Sequence, residues 1–514
     1  MLSERNIILK NVLKSDLRVG LCFPNLYRTA MSSLGYQILY EFINKREEFY
    51  AERVIYPSVR SMETNSPLRD FDIVCFSLQY EEDYFNVLRM LLDSGIPINK
   101  KDRGVDDPLI IAGGPCASSN PLPMTDFIDL FVVGEAEIML DDLLDLYLEI
   151  GKTQGLDAYR SIPGVYIEDE YVHRVIVKDM DFACHPKRFI SSVSDDENLV
   201  PVFGSSILLG VSRGCSRGCR FCMSSYMYRP QRETSLNKLF SVAEESRHIT
   251  GFNKVSLIGA AVSDYSHIDD LCAGLVERGF QVSTPSLRVE SITDDTLKSL
   301  AEGGLKTLTL APESIYDIRK RLNKGFTDEN ITNIVSKAIE YNMNLKLYYL
   351  IGTPLETKED ITDLSIFMKN LSKISPKKSG IKFSVNPLIP KPHTPMQWTG
   401  FNLTDIKQKI KFLRKTMGST PIKFNSPRLS LTQYVLSCKG KEISELIIKN
   451  VKSNATTSEW KKHSTGYQLN DTLPWKNIDL DLKTDFLLKE REKMLNNELT
   501  PWCIENGCYN CSNY

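Results

Sequence analysis

Twelve cysteines lie along this chain, and two short runs near its middle and its end gather six of them. Cys215, Cys219 and Cys222 share the run GCSRGCRFC at 214–222, with the spacing C-x-x-x-C-x-x-C. Thiolates this close on one loop can hold three irons of a 4Fe–4S cube, and the fourth iron then has no protein ligand. That vacant iron is the functional feature, because a substrate can chelate it. Gly214 and Gly218 let the loop wrap closely around a cluster. Arg213, Arg217 and Arg220 are expected to favour the thiolate form. Zinc is the competing occupant, but it ordinarily takes four ligands. The next Cys or His downstream is His248, too far along the chain to complete the run.

Cys503, Cys508 and Cys511 form the second run, C-x-x-x-x-C-x-x-C, at the end of the sequence. Thiols clustered in this way are metal ligands more often than bystanders. An auxiliary Fe–S cluster and a zinc knot both suit them, with Cys438 and His463 as candidate fourth ligands. Cys22, Cys75, Cys116, Cys184, Cys272 and Cys438 are scattered, mostly among apolar residues, and read as small buried hydrophobes.

The elements that must position these runs follow from patterning. At 514 residues the chain is long enough for about three domains. Apolar residues make up 42% and charged residues 25%, a balance that supports packed cores. The formal net charge is −2 with no basic stripe, which argues against nucleic acid as a partner. The opening MLSERNIILK does not read as a secretory signal, and no apolar run suits a membrane span. A cytoplasmic location, with reduced thiols, is the expectation.

Residues 18–24 (RVGLCFP), 71–78, 109–112 and 127–133 read as strands, and 32–44 and 138–149 as helices. This alternation predicts a parallel, Rossmann-like α/β domain over 1–190. Ligands bind such sheets at the carboxyl ends of the strands. The turns holding Gly113, Gly114 and Gly134 fall there, where glycine allows close approach to a bulky ligand. After a charged connector at 168–200, strands are expected at 207–211, 254–258, 281–283, 307–310, 345–350 and 382–385, with helices between. The pattern predicts a partial (β/α)6 TIM-type barrel over 200–400. Residues 401–514 form a small α-rich extension that carries the second cysteine run.

The cysteine run after the first barrel strand, C-x-x-x-C-x-aromatic-C with Phe221 as the aromatic, resembles the radical S-adenosylmethionine (SAM) signature. Later segments are similar in order. Gly259-Ala260-Ala261 stands where that superfamily usually has a GGE-type turn on the SAM amino group, here without the glutamate, so a backbone contact is implied. Arg288 and Glu290, then Glu313 in APES, stand where polar SAM contacts fall, and Gly352 centres a turn of the kind that packs on adenine. The whole chain resembles the cobalamin (B12)-binding radical SAM family, in a branch marked by MSSLG at 31–35, PLIIAGGPCA at 108–117, Lys324-Gly325 and PLIPKPHTPMQW at 387–398.

The resemblance implies a 4Fe–4S cluster whose open iron binds SAM, and reductive cleavage of SAM to methionine and a 5′-deoxyadenosyl radical. It also implies cobalamin on the N-terminal sheet as carrier of a methyl group. The expected activity is a cobalamin-dependent C-methyltransferase acting on an unactivated carbon, with a protein or peptide among the candidate substrates and ferredoxin or flavodoxin as electron donor. No nucleic-acid or membrane partner is expected. Other radical SAM chemistry, such as methylthiotransfer or cyclisation, and a non-catalytic metal-binding scaffold stay open, as does an N-terminal domain that has lost cobalamin and serves as a lid. None of the six histidines precedes His173, so residues 1–172 offer cobalt no imidazole, and a His-off cobalt is expected. Tyr265, Tyr348, Tyr349 and His393 are candidate barrel-facing groups, with core packing the competing role.

Overall fold

A computed structural model of the protein describes residues 3–152, 155–194, 196–377 and 380–503. The N-terminal unit is built on a sheet in the spatial order Phe49–Ile55, Leu17–Phe23, Ile73–Ser77, Leu109–Gly113, Leu130–Val132 and Val165–Tyr166. All pairings are parallel except the last. The order reverses between Leu17–Phe23 and Ile73–Ser77, so a ligand crevice opens beyond their carboxyl ends. The interior strands run as apolar stretches because helices cover both faces. Leu17, Val19, Leu109 and Ile111 pack under the helix Leu140–Ile150, while Cys22, Phe76 and Ala112 join the core shared with the rest of the molecule.

The strand Phe49–Ile55 is absent from the expected set, for a physical reason. Its centre is Glu52-Arg53, which reads as surface, yet both residues are fully buried. Arg53 is held by Glu4 at 2.8 Å and Glu63 at 2.6 Å, and Glu52 is held by Arg18 at 2.6 Å. Buried charges persist only when paired in this way, and the partners come from other segments.

The second unit is an open arc. Ile207–Gly210, Lys254–Ile258 and Gln281–Ser283 form one parallel sheet. Thr307–Glu313, Asn344–Ile351, Ile381–Pro387 and Ile422–Phe424 form another. A single bridge, Leu287 to Leu310, joins the two, and no closure is seen among the described residues. The strand Ile422–Phe424 lies beyond the six expected, because it is too short to signal itself in sequence.

The C-terminal helices Pro427–Cys438 and Ser444–Ser453 fasten the arc to the N-terminal sheet. Ser444–Ser453 packs on Asp83–Asp93, and Trp460 meets Phe85 with ring centroids 6.0 Å apart. The short strand Ile478–Asp479 pairs with Val172–His173, bringing the C-terminal segment back to the connector. Among the described residues, no helix is long and apolar enough to cross a membrane.

Candidate active site

Cys215 leaves the first arc strand through Ser212–Arg213, which pairs antiparallel with Arg232–Glu233. Gly214 has φ 84°, and a Cβ there would press on the carbonyl oxygens of Tyr228 and Pro230. The loop's own carbonyls are tied down. Tyr226 donates its hydroxyl to Gly218 at 3.1 Å, and Asn323 Nδ2 donates to Arg217 and Gly218 at 3.2 Å each. Cys215 and Cys219 are buried and Cys222 is half-buried. Burial lifts the Cys215 thiol to about 11, neighbouring Cys219 adds to the rise, and Arg288 opposes it. Burial followed by Cys219 likewise raises Cys222. Three thiols held together on one loop can take a metal, which replaces their protons.

The cation at the sulfurs is Arg288, whose Nη1 donates to Cys219 Sγ at 3.3 Å. Arg213, Arg217 and Arg220, expected to serve the thiolates, are committed elsewhere. Arg213 pairs with Glu135 at 3.0 Å and Glu137 at 2.7 Å, and Arg217 with Asp264 at 2.7 Å. Arg220 is fully buried against Glu490 at 3.0 Å. Carboxylates distant in sequence thus claim Arg213, Arg217 and Arg220, while Arg288 reaches Cys219 with Glu290 and Asp264 beside it.

The other expected SAM-site residues sit at or near the carboxyl ends of the arc strands. Gly259 and Ala260 end the second strand and line a cavity described below. Glu290 pairs with Arg288. Glu313, at φ 67°, pairs with Lys324 at 2.7 Å. Gly352, at φ 86°, donates its N–H to Glu356 at 2.7 Å and abuts Ile406. Phe221 packs beside Leu322, Leu388 and Met396, within 6.0 Å of Lys324 Nζ. Tyr348 is half-buried, while Tyr349, on the opposite face of the strand, is buried with its ring tilted against Phe383 at 6.1 Å. Tyr265 donates to Thr234 at 2.9 Å, and His393 bonds the Ser119 carbonyl at 2.9 Å; both serve packing.

A cavity of about 450 Å³ connects the two units. One wall holds Gly113, Gly114, Gly134 and Glu135 at the carboxyl ends of the N-terminal strands; the other holds Gly210, Gly214, Gly259 and Ala260. Gly114 has φ 102° and Gly134 φ 111°, and a Cβ at either would strike the backbone of Leu78 or Val175. The floor is apolar, with Ile38, Leu39, Ile111 and Leu143. His185, from the connector, also lines it, with Nε2 2.8 Å from the Met180 carbonyl. This imidazole comes from beyond residues 1–172, which contain no histidine.

Of the C-terminal run, Cys503 is described and lies beside the loop, its N–H 3.4 Å from the Ser216 carbonyl. Cys508 and Cys511 lie outside the described residues. Cys438 donates to the Pro390 carbonyl at 3.2 Å, and His463 stands near Glu442 and Lys439.

A three-thiol loop at the mouth of a parallel arc thus faces a doubly wound sheet across a shared cavity. Residues 209–367 match the radical SAM superfamily, and residues 35–168 match the family of radical SAM proteins, N-terminal. The uncharacterized protein MJ0966 of Methanocaldococcus jannaschii is 31% identical over 483 residues, spanning 91% of this chain and 100% of the relative. A tRNA-2-methylthio-N(6)-dimethylallyladenosine synthase of Flavobacterium psychrophilum is 22% identical over 279 residues, 46% of this chain and 55% of that one. The methyltransferase TsrM of Kitasatospora setae, solved with cobalamin and a [4Fe-4S] cluster, shares the fold with TM-score 0.53 at 15% identity, over 74% of this chain and 76% of that one. The cobalamin-dependent enzyme OxsB, solved with aqua-cobalamin, gives 0.52 at 14% identity, over 84% and 67%. The chain belongs to the radical SAM superfamily, with the fold of its cobalamin-binding branch, and is a radical SAM enzyme.

Sequence reasoning missed the residues that brace the loop from far away: Asn323, Glu490, Thr500 and Trp502. No local signal marks them, because each acts across about a hundred residues or more of chain.

Proposed function

We propose that the protein is a cobalamin-dependent radical SAM C-methyltransferase. Cys215, Cys219 and Cys222 hold the 4Fe–4S cluster, and the cavity between the two units holds cobalamin. The observation that carries this reading is the single cavity running from the Gly114 and Gly134 turns to Gly214, the residue before Cys215. The residues fit a corrinoid. Gly35 lines the cavity with nothing within 4 Å of where its Cβ would lie, and the floor is apolar.

Once bound, the cluster and SAM supply a carbon-centred radical and cobalamin a methyl carrier. The chain's part is placement. Arg288 would steady the sulfurs, Gly259 and Ala260 would offer backbone to SAM, and Gly113, Gly114 and Gly134 would line the side of the cavity that holds the corrinoid. Burial of Cys215 and Cys219 excludes water from the radical. The reductant is a flavodoxin or ferredoxin, and the substrate offers an unactivated carbon, a peptide among the candidates.

Anaerobic reconstitution with iron, sulfide and cobalamin tests the reading. One cobalt per chain, release of 5′-deoxyadenosine from SAM under reduction, and a product heavier by one CH2 are expected. Undiminished nucleoside release from Cys219→Ala would end the cluster assignment. A chain that takes up iron but no cobalt would end the methyltransferase reading alone.

A further inference from the structure

The second sheet of the arc is parallel, and parallel sheets are ordinarily covered on both faces. One of its faces is covered here. Leu345, Leu347 and Tyr349 are buried in one core with Ile331, Val335 and Leu364 of the helices Asp328–Glu340 and Lys358–Ile374. Side chains alternate along a strand, so Lys346 and Tyr348 lie on the other face, and Lys346 is exposed. Register carries that face across the sheet. Thr309 pairs with Lys346, Lys346 with Lys382, Tyr348 with Ser384, and Ser384 with Lys423. Lys382 and Lys423 are exposed as well.

Three ammonium groups thus share one face on neighbouring strands. Strands lie about 4.8 Å apart, so the group spans roughly 10 Å. Like charges directly opposite one another destabilise a sheet, and a face that served solubility alone would intersperse both signs. The carboxylate in these four strands is Glu313, and Lys324 takes it at 2.7 Å. Among the described residues, no carboxylate pairs with Lys346, Lys382 or Lys423. Lys346 Nζ lies instead 4.8 Å from the centroid of the Tyr348 ring. The same face leads to the cluster loop. Leu350, two residues beyond Tyr348, joins Phe221 of that loop in packing against Leu322, Leu388 and Met396. From Lys346 to Leu350 the strand rises about 13 Å.

We propose that Lys346, Lys382 and Lys423 form the anion-binding end of the substrate site, and that the substrate carries two or more phosphate or carboxylate groups remote from the carbon that reacts. The proposal rests on the assignment of Cys215, Cys219 and Cys222 to the radical cluster and names the substrate class for that site. A lysine ammonium is a compact charge with three donors, suited to phosphate or carboxylate oxygens. Thr309, Tyr348 and Ser384 add hydroxyls on the same face. A molecule held there by its charges extends along the strand toward Phe221 and the cysteines.

The test uses the full-length chain, reconstituted anaerobically and saturated with SAM so that the open iron is occupied. Calorimetric titration with pyrophosphate and with glutarate compares wild type, Lys346→Gln/Lys382→Gln and Lys346→Arg/Lys382→Arg. Wild type should bind at least one of the two anions, less tightly as salt rises. The glutamine pair should bind roughly tenfold more weakly, and the arginine pair should keep most of the affinity. The two anions tell a phosphate-bearing substrate from a carboxylate-bearing one. Binding of neither anion to wild type overturns the proposal, as does equal binding by wild type and the glutamine pair. An equal loss in the arginine and glutamine pairs also overturns it, because charge would then not be what matters. Iron counts on the same samples keep the two readings apart. Wild type without iron at the cysteine loop ends the cluster assignment, whereas wild type with its iron and no affinity for either anion ends this proposal alone.

Discussion

The guanidinium of Arg288 donates to Cys219 Sγ at 3.3 Å and is itself held by Glu290, so one positive charge is fixed on the cluster loop. A fixed cation stabilises the cluster more after it gains an electron than before. Arg288→Gln should keep its iron but lower the midpoint potential of the cluster. Nucleoside release should fall roughly tenfold, equivalent to about 1.4 kcal/mol. Redox titration followed by EPR checks this. A rise in KM for SAM with an unchanged potential would mean that Arg288 serves SAM rather than the sulfurs.

Gly134 faces the Val175 backbone at φ 111°. In Gly134→Ala a methyl group must enter space already filled by that backbone, at a positive φ that L-residues avoid. Destabilisation of roughly 2 kcal/mol is expected. Loss of bound corrinoid should exceed loss of iron, because the turn borders the cavity and not the cysteine loop. Thermal melting with cobalt and iron counts reports both.

His185 is the imidazole on the cavity wall, and its Nε2 faces a carbonyl, which requires a proton there. Residues 1–172 bring no histidine to the cavity, so a His-off cobalt is expected. The Co(II) EPR spectrum should therefore lack nitrogen superhyperfine splitting. Splitting that is present in wild type and gone in His185→Ala would make His185 the axial ligand.

His393 is buried against the Ser119 carbonyl, and burial lowers its pKa from 6.5 to about 4. The unfolded chain therefore binds the extra proton between those values, and stability rises with pH across that window. The contribution is complete above pH 6.5 and is lost as pH falls toward 4, by about 3 kcal/mol in all. His393→Asn should flatten the difference in urea midpoint between pH 7 and pH 5. An unchanged slope would mean that His393 takes up its proton in the folded state.

The cysteine spacing at 214–222, the glycine turns at 113–114 and 134, and the strand–helix alternation were legible in sequence. Each is local: a ligand set, a backbone freedom or a hydrophobic period that neighbours in the chain express together. What crosses the chain was not. The strand Phe49–Ile55 reads as surface until Glu4, Glu63 and Arg18 neutralise its buried charges. Likewise Arg217 and Arg220 look like thiolate partners until Asp264 and Glu490 claim them.

From sequence alone came the close spacing of three thiols on one loop and the strand–helix alternation of a parallel sheet, because both are local patterns. Only the tertiary structure brought Trp502 and Cys503 beside Ser216, and His185 to the cavity wall. Such pairings depend on which distant carboxylate, amide or ring satisfies a buried group, and that choice is made when the whole chain packs.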